Sequence, residues 1–189
     1  MKTLTSTFLL LAIWSYSYGQ SPYFPVEKGT TQTYAYGSEM YAGTPYEDYT
    51  VKVRVLNDTQ MIDGKEYLVS ESAMGGKSGD PLVTTTYMRV GDDGTIYGKT
   101  DKEAAEEVFM KENPAVGDSF VSQSGGLTKV TDMSGSIETP TDAYSDCLVV
   151  ESEENGMMLK SYFQKNVGLI ATTMVDEGNE KIFFYLIED

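Results

Sequence analysis

The sequence predicts an all-β protein, an antiparallel meander of about eleven strands that forms a curved sheet or an incomplete barrel. Short runs of alternating apolar and polar residues recur along the chain, and Gly, Asn and Asp residues separate them. The chain has 14 Tyr, a residue type that favours strands. A sheet of so many strands tends to curl or to close on itself rather than stay flat.

The first part of the chain contains the clearest one-sided strand. Residues 21–25 include two prolines and predict an extended segment, and residues 30–37 predict the first strand. Across residues 49–56 a tyrosine and three valines alternate with Lys52 and Arg54. The apolar set is therefore expected to face the interior, and the two basic side chains are expected to face outward.

Turn signals divide the middle of the chain. Pro45, Gly64 and Gly94 mark turns at residues 42–45, 62–64 and 92–94, and glycines predict a loop at 72–80. Residues 101–107 predict the only helical turn after residue 19, because Thr100 and Glu103 match a capping box. The remaining runs in this part predict strands at residues 66–70, 83–90, 95–99, 119–122, 127–133 and 136–139.

The last quarter of the chain predicts four consecutive strands, at residues 144–151, 157–164, 167–175 and 181–187. In the first of them Cys147 and Val149 share one face, and Leu148 and Val150 share the other. Because both faces are apolar, both are expected to lie against other parts of the protein. These strands are the predicted centre of the core.

Residues 1–19 have the organisation of an export signal. Lys2 is followed by a short apolar run, and small residues precede a cleavage position before Gln20. The apolar run is too short to span a bilayer, and no later run is long enough. We therefore expect a signal peptide at residues 1–19 and a single β-rich domain at residues 20–189, located in the periplasm or secreted. No Cys stands directly after the apolar run, which disfavours a lipid anchor.

Composition excludes several function classes. The net charge of −15 disfavours binding to nucleic acid or to anionic lipid. The chain has no His and a single Cys, which excludes Ser-His-Asp triads, Cys-His dyads and the common zinc sites. No glycine-rich loop joins a strand to a helix, so a nucleotide site is not expected. The sequence therefore predicts a protein that is not an enzyme and that uses no cofactor.

The remaining chemical groups have simpler interpretations. Cys147 lies in an apolar strand without a basic neighbour, so it is expected to be a buried core residue. The pairs Glu151 with Glu153 and Glu106 with Glu107 have the composition of a glycosidase pair, but solvated surface positions are expected in so acidic a chain. Oxygen-rich turns do not match the spacing of a calcium loop, so no metal is expected.

Aromatic and methionine side chains are the candidates for binding a ligand. Tyrosines on predicted strands suit both cores and wet aromatic surfaces, and methionines suit adaptable apolar cavities. The candidate ligand-binding residues are Tyr34, Tyr36, Tyr87, Tyr162 and Met158.

Three segments resemble a group of exported β-rich domains of unknown function from Bacteroidetes. Residues 23–29 resemble the group's YFP-x-x-x-G opening segment. Residues 140–150 resemble its P-x-G-x-(F/Y)-x-D-C-(L/I)-x-V strand, with Asp142 where Gly is usual. Residues 162–170 resemble its Y-x-x-x-G-V-G-L-V hairpin, with Asn166 in place of the first Gly. The resemblance implies a periplasmic or secreted β-rich domain and no catalytic residues.

Two functions remain open from the sequence. The first is a non-catalytic exported module that binds a protein or polysaccharide partner, with a filled interior and an exposed aromatic patch. The alternative is a lipocalin-like or lipoprotein-carrier-like protein, in which the curved sheet encloses an apolar small molecule.

Overall fold

A computed structural model describes residues 20–37, 48–76, 80–121, 126–154, 156–176 and 178–188. The expected signal peptide, the turn predicted at residues 42–45 and part of the loop predicted at 72–80 lie outside these residues. The described residues form twelve strands and no helix. In chain order the strands are β1 (Thr31–Tyr36), β2 (Thr50–Ile62), β3 (Lys65–Gly75), β4 (Leu82–Val90), β5 (Ile96–Lys99), β6 (Glu107–Met110), β7 (Ser119–Val121), β8 (Leu127–Glu138), β9 (Ala143–Glu154), β10 (Met157–Gln164), β11 (Gly168–Asp176) and β12 (Asn179–Glu188).

All twelve strands belong to one antiparallel sheet in the order β6-β5-β4-β3-β2-β1-β12-β11-β10-β9-β8-β7. The first and last strands pair with each other, as in the contact of Tyr36 with Phe184. The edge strands β6 and β7 come close together, so the sheet curls into a nearly closed barrel. The predicted class, a curved antiparallel sheet or incomplete barrel, is confirmed.

Several hairpins follow the predicted turn chemistry. Ile62 pairs with Lys65, and the two residues between them, Asp63 and Gly64, have φ angles of 52° and 76°. This two-residue turn requires positive φ at both positions, which Asp tolerates and Gly adopts freely. Asn166 also has a positive φ angle, of 65°. Asn is the side chain that most readily replaces Gly in this region.

Four local predictions are corrected. Strand β3 continues to Gly75, because residues 72–74 pair with β4. The two strands predicted at 127–133 and 136–139 are one strand, β8, with irregular pairing to β9. The segment at 21–25 contains a turn closed by a hydrogen bond from the Phe24 amide to the Ser21 carbonyl.

The fourth correction concerns the predicted helical turn at residues 101–107, which is not helical. The Asp101 carboxylate accepts a hydrogen bond from the Glu103 amide at 2.8 Å. Asp readily makes such local bonds, which compete with helix formation. Strand β6 then begins at Glu107, in register with Gly98 of β5.

The main core lies at the end of the barrel where the described chain begins. Tyr23 and Val26, which precede β1, are buried among side chains from strands on both sides of the barrel. The Asn166 amide donates a hydrogen bond to the Pro22 carbonyl at 2.6 Å, and the Gly29 amide donates one to the Val55 carbonyl at 2.8 Å. The N-terminal segment therefore closes this end of the barrel.

Both faces of β9 are covered over residues 147–150, as predicted. Leu148 and Val150 point into the barrel and belong to the main core. Cys147 and Val149 point outward, where Ile137 and Tyr144 of the β8–β9 hairpin pack against them. The same hairpin is fixed to β12 by a hydrogen bond from the Thr141 hydroxyl to the Leu186 carbonyl at 3.1 Å.

Cys147 is a buried core residue, as the sequence predicts. The residue is fully buried, and burial raises the pKa of its thiol, with a further contribution from Asp146. Asp146 has a φ of 55° at the point where β9 pairs irregularly with β8. A thiol with a raised pKa is a poor nucleophile.

Replacement of Leu148 by Ala tests the core assignment. Leu148 is fully buried, so Leu148→Ala is expected to lower the free energy of unfolding by about 2–5 kcal/mol. Leu127→Ala is the matched control, because Leu127 is 70% exposed, and a change within about 0.5 kcal/mol is expected there. Urea unfolding followed by circular dichroism measures both, and equal midpoints for the two variants would contradict the assignment.

Candidate functional site

The barrel encloses a cavity of about 600 Å³ that is partly open to solvent. Its walls are mainly apolar, with side chains from most strands of the sheet and from the N-terminal segment. The apolar lining residues are Phe24, Pro25, Val51, Val53, Val55, Met88, Phe109, Phe120, Val150, Leu159, Phe163, Val167, Leu169, Phe183 and Phe184. A cavity of this size and lining has the properties of a small-molecule binding site.

Strand alternation positions these side chains. Val51, Val53 and Val55 of β2 line the cavity, while Arg54 between them is exposed on the outside. The inward-facing set predicted for residues 49–56 is therefore confirmed for the three valines. Val is short, and a wall of such residues leaves space that longer side chains would occupy.

Aromatic rings close the cavity at the N-terminal end. Phe24 of the N-terminal segment and Phe163 of β10 lie 6.5 Å apart, measured between ring centroids. Phe109 lies directly over Gly98, where an added Cβ atom would come within 2.0 Å of the Phe109 ring. Gly98 is therefore required for the position of this ring against the sheet.

Side-chain hydrogen bonds complete the wall where β11 begins. The pairing of β11 with β12 starts only at Ala171. The preceding carbonyls of Val167 and Leu169 accept hydrogen bonds from the Gln32 side-chain amide at 2.7 Å and from the Tyr34 hydroxyl at 3.1 Å. The side chains of Gln32 and Tyr34 therefore donate hydrogen bonds to these carbonyls, as the backbone amides of a neighbouring strand do elsewhere in the sheet.

The N-terminal segment leaves part of its end of the barrel open, and the cavity reaches solvent there. The exposed lining residues, Glu27, Thr30 and Asn166, lie together beside the N-terminal segment. At the opposite end, where the even-numbered strands begin, exposed apolar side chains surround the barrel. These are Leu82, Val83, Leu127, Met157 and Met158.

The candidate ligand-binding residues do not form one group. Tyr34 lines the cavity, and Tyr36 packs edge to face on the lining residue Phe183, with ring centroids 5.6 Å apart. Tyr87 lies on the outer face, where the Lys102 ammonium is 5.8 Å from its ring centroid. Tyr162 also lies outside, and Met158 is exposed. Whether any of them binds a ligand stays a prediction.

Tyr162 belongs to a hydrogen-bonded group on the outer face. Its hydroxyl donates to the Glu180 carboxylate, which also accepts from the Thr173 hydroxyl. Burial raises the pKa of the Tyr162 phenol, and the hydrogen bond to Glu180 adds to the effect. Burial alone would raise the pKa of Glu180, but the hydrogen bonds from Thr173 and Tyr162 lower it below its ordinary value. The hydrogen-bonding groups of Tyr162, Thr173 and Glu180 are therefore paired with one another.

Sequence reasoning missed most of the cavity wall, above all its aromatic end. Phe24, Phe109, Phe120 and Phe163 come from four distant parts of the chain, and alternation shows only that each is buried. One signal was present: serines occupy inward-facing positions of predicted strands, as at Ser70. A short polar residue on a buried face indicates space beside it.

The predicted role of Glu106 as a solvated surface residue is wrong. Its carboxylate accepts two hydrogen bonds from the Arg89 guanidinium, at 2.6 and 2.7 Å, and one from the Lys65 ammonium at 2.7 Å. Tyr67 also donates to it. The hydrogen bonds from Arg89 are the largest contribution that lowers the pKa of the Glu106 carboxyl to about 2. A carboxylate held in this way is unsuited to proton transfer near neutral pH.

The described residues contain no other arrangement with evident chemistry. Lys99 is buried and pairs with Asp63 at 2.9 Å, beside the Glu106 group. Within the described ranges no cluster of three or more Cys, Asp or Glu residues could hold a metal ion. In the same part of the chain there is no helix with the length and apolarity needed to cross a membrane.

Comparison with solved structures shows the fold. The chain is similar to a candidate exported protein with a YmcC-like fold from Bacteroides fragilis, with a TM-score of 0.53 and 13% identity over 88% of this chain and 97% of that one. It is also similar to a candidate lipoprotein from Parabacteroides distasonis, with a TM-score of 0.54 and 13% identity over 89% and 98% of the two chains. No family model and no curated protein matches the sequence.

Glu106 is expected to stabilise the fold in a pH-dependent way. Glu106→Gln should lower the free energy of unfolding by about 1–3 kcal/mol at neutral pH, because Arg89 loses its charged acceptor. The folded-state pKa is about 2, against an ordinary value of 4.5. Its contribution is therefore complete above about pH 5 and is lost as the pH falls toward 2.

Chemical denaturation of both proteins across this pH range measures the difference. Glu103→Gln is the matched control, since Glu103 is exposed on the adjacent turn and little change is expected there. A difference between wild type and Glu106→Gln that stays constant from neutral pH down to pH 2 would contradict the assignment.

Proposed function

We propose that this chain is an exported, non-catalytic protein that binds an apolar ligand inside its barrel. The observation that carries the proposal is the cavity of about 600 Å³ with a mainly apolar lining. Its volume lies within the range of small-molecule sites, about 300–1,000 Å³. Ligand burial there would remove apolar surface from water, which contributes about 25 cal/mol for each Å².

The surroundings of the cavity support binding rather than catalysis. Glu106 is the charged group whose surroundings most resemble a catalytic site. Its carboxylate is held by Arg89, Lys65 and Tyr67 on the outer face. Within the described part of the chain, the only charged residue that lines the cavity is Glu27, at its exposed rim. The single Cys is buried in the outer cluster, away from the cavity.

A surface module for a protein or polysaccharide has less support. That function predicts a filled interior and an exposed aromatic patch. The barrel holds a cavity instead, and every Tyr and Phe among the described residues is at least partly buried. We therefore favour the carrier function.

Export is supported by the organisation of residues 1–19 and by the solved structures with the same fold. One of these is a candidate exported protein from Bacteroides fragilis, and the other is a candidate lipoprotein from Parabacteroides distasonis. An apolar carrier outside the cytoplasm would shield its ligand from water during transfer.

Val53 provides a test of binding in the cavity. Val53→Trp places a large ring in the space that the ligand would occupy, and it is expected to weaken binding of a fluorescent acyl probe at least about tenfold. Arg54→Trp is the matched control, because Arg54 is the next residue on the same strand and faces outward. Fluorescence titration measures both affinities.

Circular dichroism of both variants shows whether the fold is retained. Equal probe affinity for folded Val53→Trp and wild type would contradict binding in the cavity, and absence of probe binding to wild type would contradict an apolar carrier.

The start of the exported protein is a separate prediction. After expression with its full leader in a bacterial host, the protein recovered outside the cytoplasm is expected to begin at Gln20. Intact mass spectrometry identifies the first residue, and a recovered protein that retains residues 1–19 would contradict the cleavage.

A further inference from the structure

Hydroxyl groups interrupt the apolar lining of the cavity on two walls. Ser70 and Ser72 line it from β3, and Thr128, Ser152, Ser161 and Thr172 line it from β8 to β11. Four strands separate β3 from β10 in the sheet order. In a barrel of twelve strands these two groups of hydroxyls therefore lie on opposite walls.

Only some of these hydroxyls are paired within the protein. Thr128 donates to the Phe120 carbonyl at 3.0 Å, and the hydroxyls of Ser161 and Thr172 are 2.8 Å apart. In the described part of the chain, the side chains of Ser70, Ser72 and Ser152 make no hydrogen bond to protein. A polar group next to an apolar ligand lowers affinity unless that ligand offers a partner.

Charge restricts the ligand further. Among the described residues no Lys or Arg lines the cavity, and the one charged lining residue, Glu27, is an acid at the rim. Lys165, next to the rim residue Asn166, holds its ammonium 5.6 Å from the ring centroid of Tyr23. A carboxylate or phosphate taken into this interior would lose its hydration without a cation to replace it.

We infer that the ligand is an uncharged lipid whose buried part carries ester or hydroxyl groups, of the acylglycerol class. The apolar walls contact its hydrocarbon, and the serine hydroxyls of both walls hydrogen-bond its oxygens. This inference rests on the proposed apolar carrier function and specifies the chemistry of its ligand.

Three lipids with eighteen-carbon chains test the charge and the polar contacts. Monooleoylglycerol, oleate and octadecene are each titrated as competitors of the fluorescent acyl probe, with the wild-type protein at neutral pH. Monooleoylglycerol is expected to bind at least about tenfold more tightly than oleate. Equal or tighter binding of oleate would overturn the inference and leave the carrier function in place, whereas failure of the probe and of all three lipids to bind would overturn both.

Removal of the hydroxyls tests their contact with the ligand. The double variant Ser70→Ala, Ser152→Ala is expected to weaken monooleoylglycerol binding by about 10- to 100-fold, from about 3- to 10-fold for each hydrogen bond. Octadecene binding is expected to stay the same or to become tighter, because octadecene has no oxygen and the variant removes two unpaired hydroxyls from the wall. Ser136→Ala, an exposed position on β8, is the control. An equal loss for both lipids, or no loss for either, would overturn the assignment.

Discussion

The number of strands that close around one space is the constraint on which the structure depends. The diameter of a barrel grows with its strand number, and about eight strands give an interior that side chains can just fill. Here twelve strands curl until the edge strands β6 and β7 come together. Side chains of ordinary size cannot fill that width along its whole length, so the fold encloses a cavity. The width of the barrel therefore underlies the proposals about the class of ligand and about access to the cavity.

The chain closes one end of the barrel and leaves the middle wide. The N-terminal segment brings Tyr23, Phe24 and Val26 against rings and aliphatic side chains of the sheet, and these residues contribute to the core that stabilises the fold. Farther along the walls, short residues such as Val53 and Ser70 face inward. Large residues therefore fill one end of the barrel, and short residues leave the space proposed to bind a ligand in the middle.

Much of the fold could be predicted from the sequence, because its signals are local. Alternation identified the strands, and Asp63-Gly64 identified a hairpin turn, since each depends on neighbouring residues alone. The cavity could not be predicted, because a valine that faces a cavity and one that faces a packed core give the same pattern. The environment of Glu106 was missed for a similar reason: its partners Arg89 and Lys65 are distant in sequence. The tyrosine candidates lie on two different faces of the sheet. The face of each one depends on its position in the strand alternation, and no motif shows which face points inward.

The central claim is that the barrel interior is a binding site for an uncharged apolar molecule. Native mass spectrometry of the protein purified without detergent from its own host tests it most directly. We expect a species that is heavier than the processed polypeptide by the mass of a lipid, and we expect it to disappear after extraction with organic solvent while the polypeptide mass is unchanged. Protein that shows only the polypeptide mass, and that takes up no lipid when incubated with an extract of the host's membranes, would contradict it.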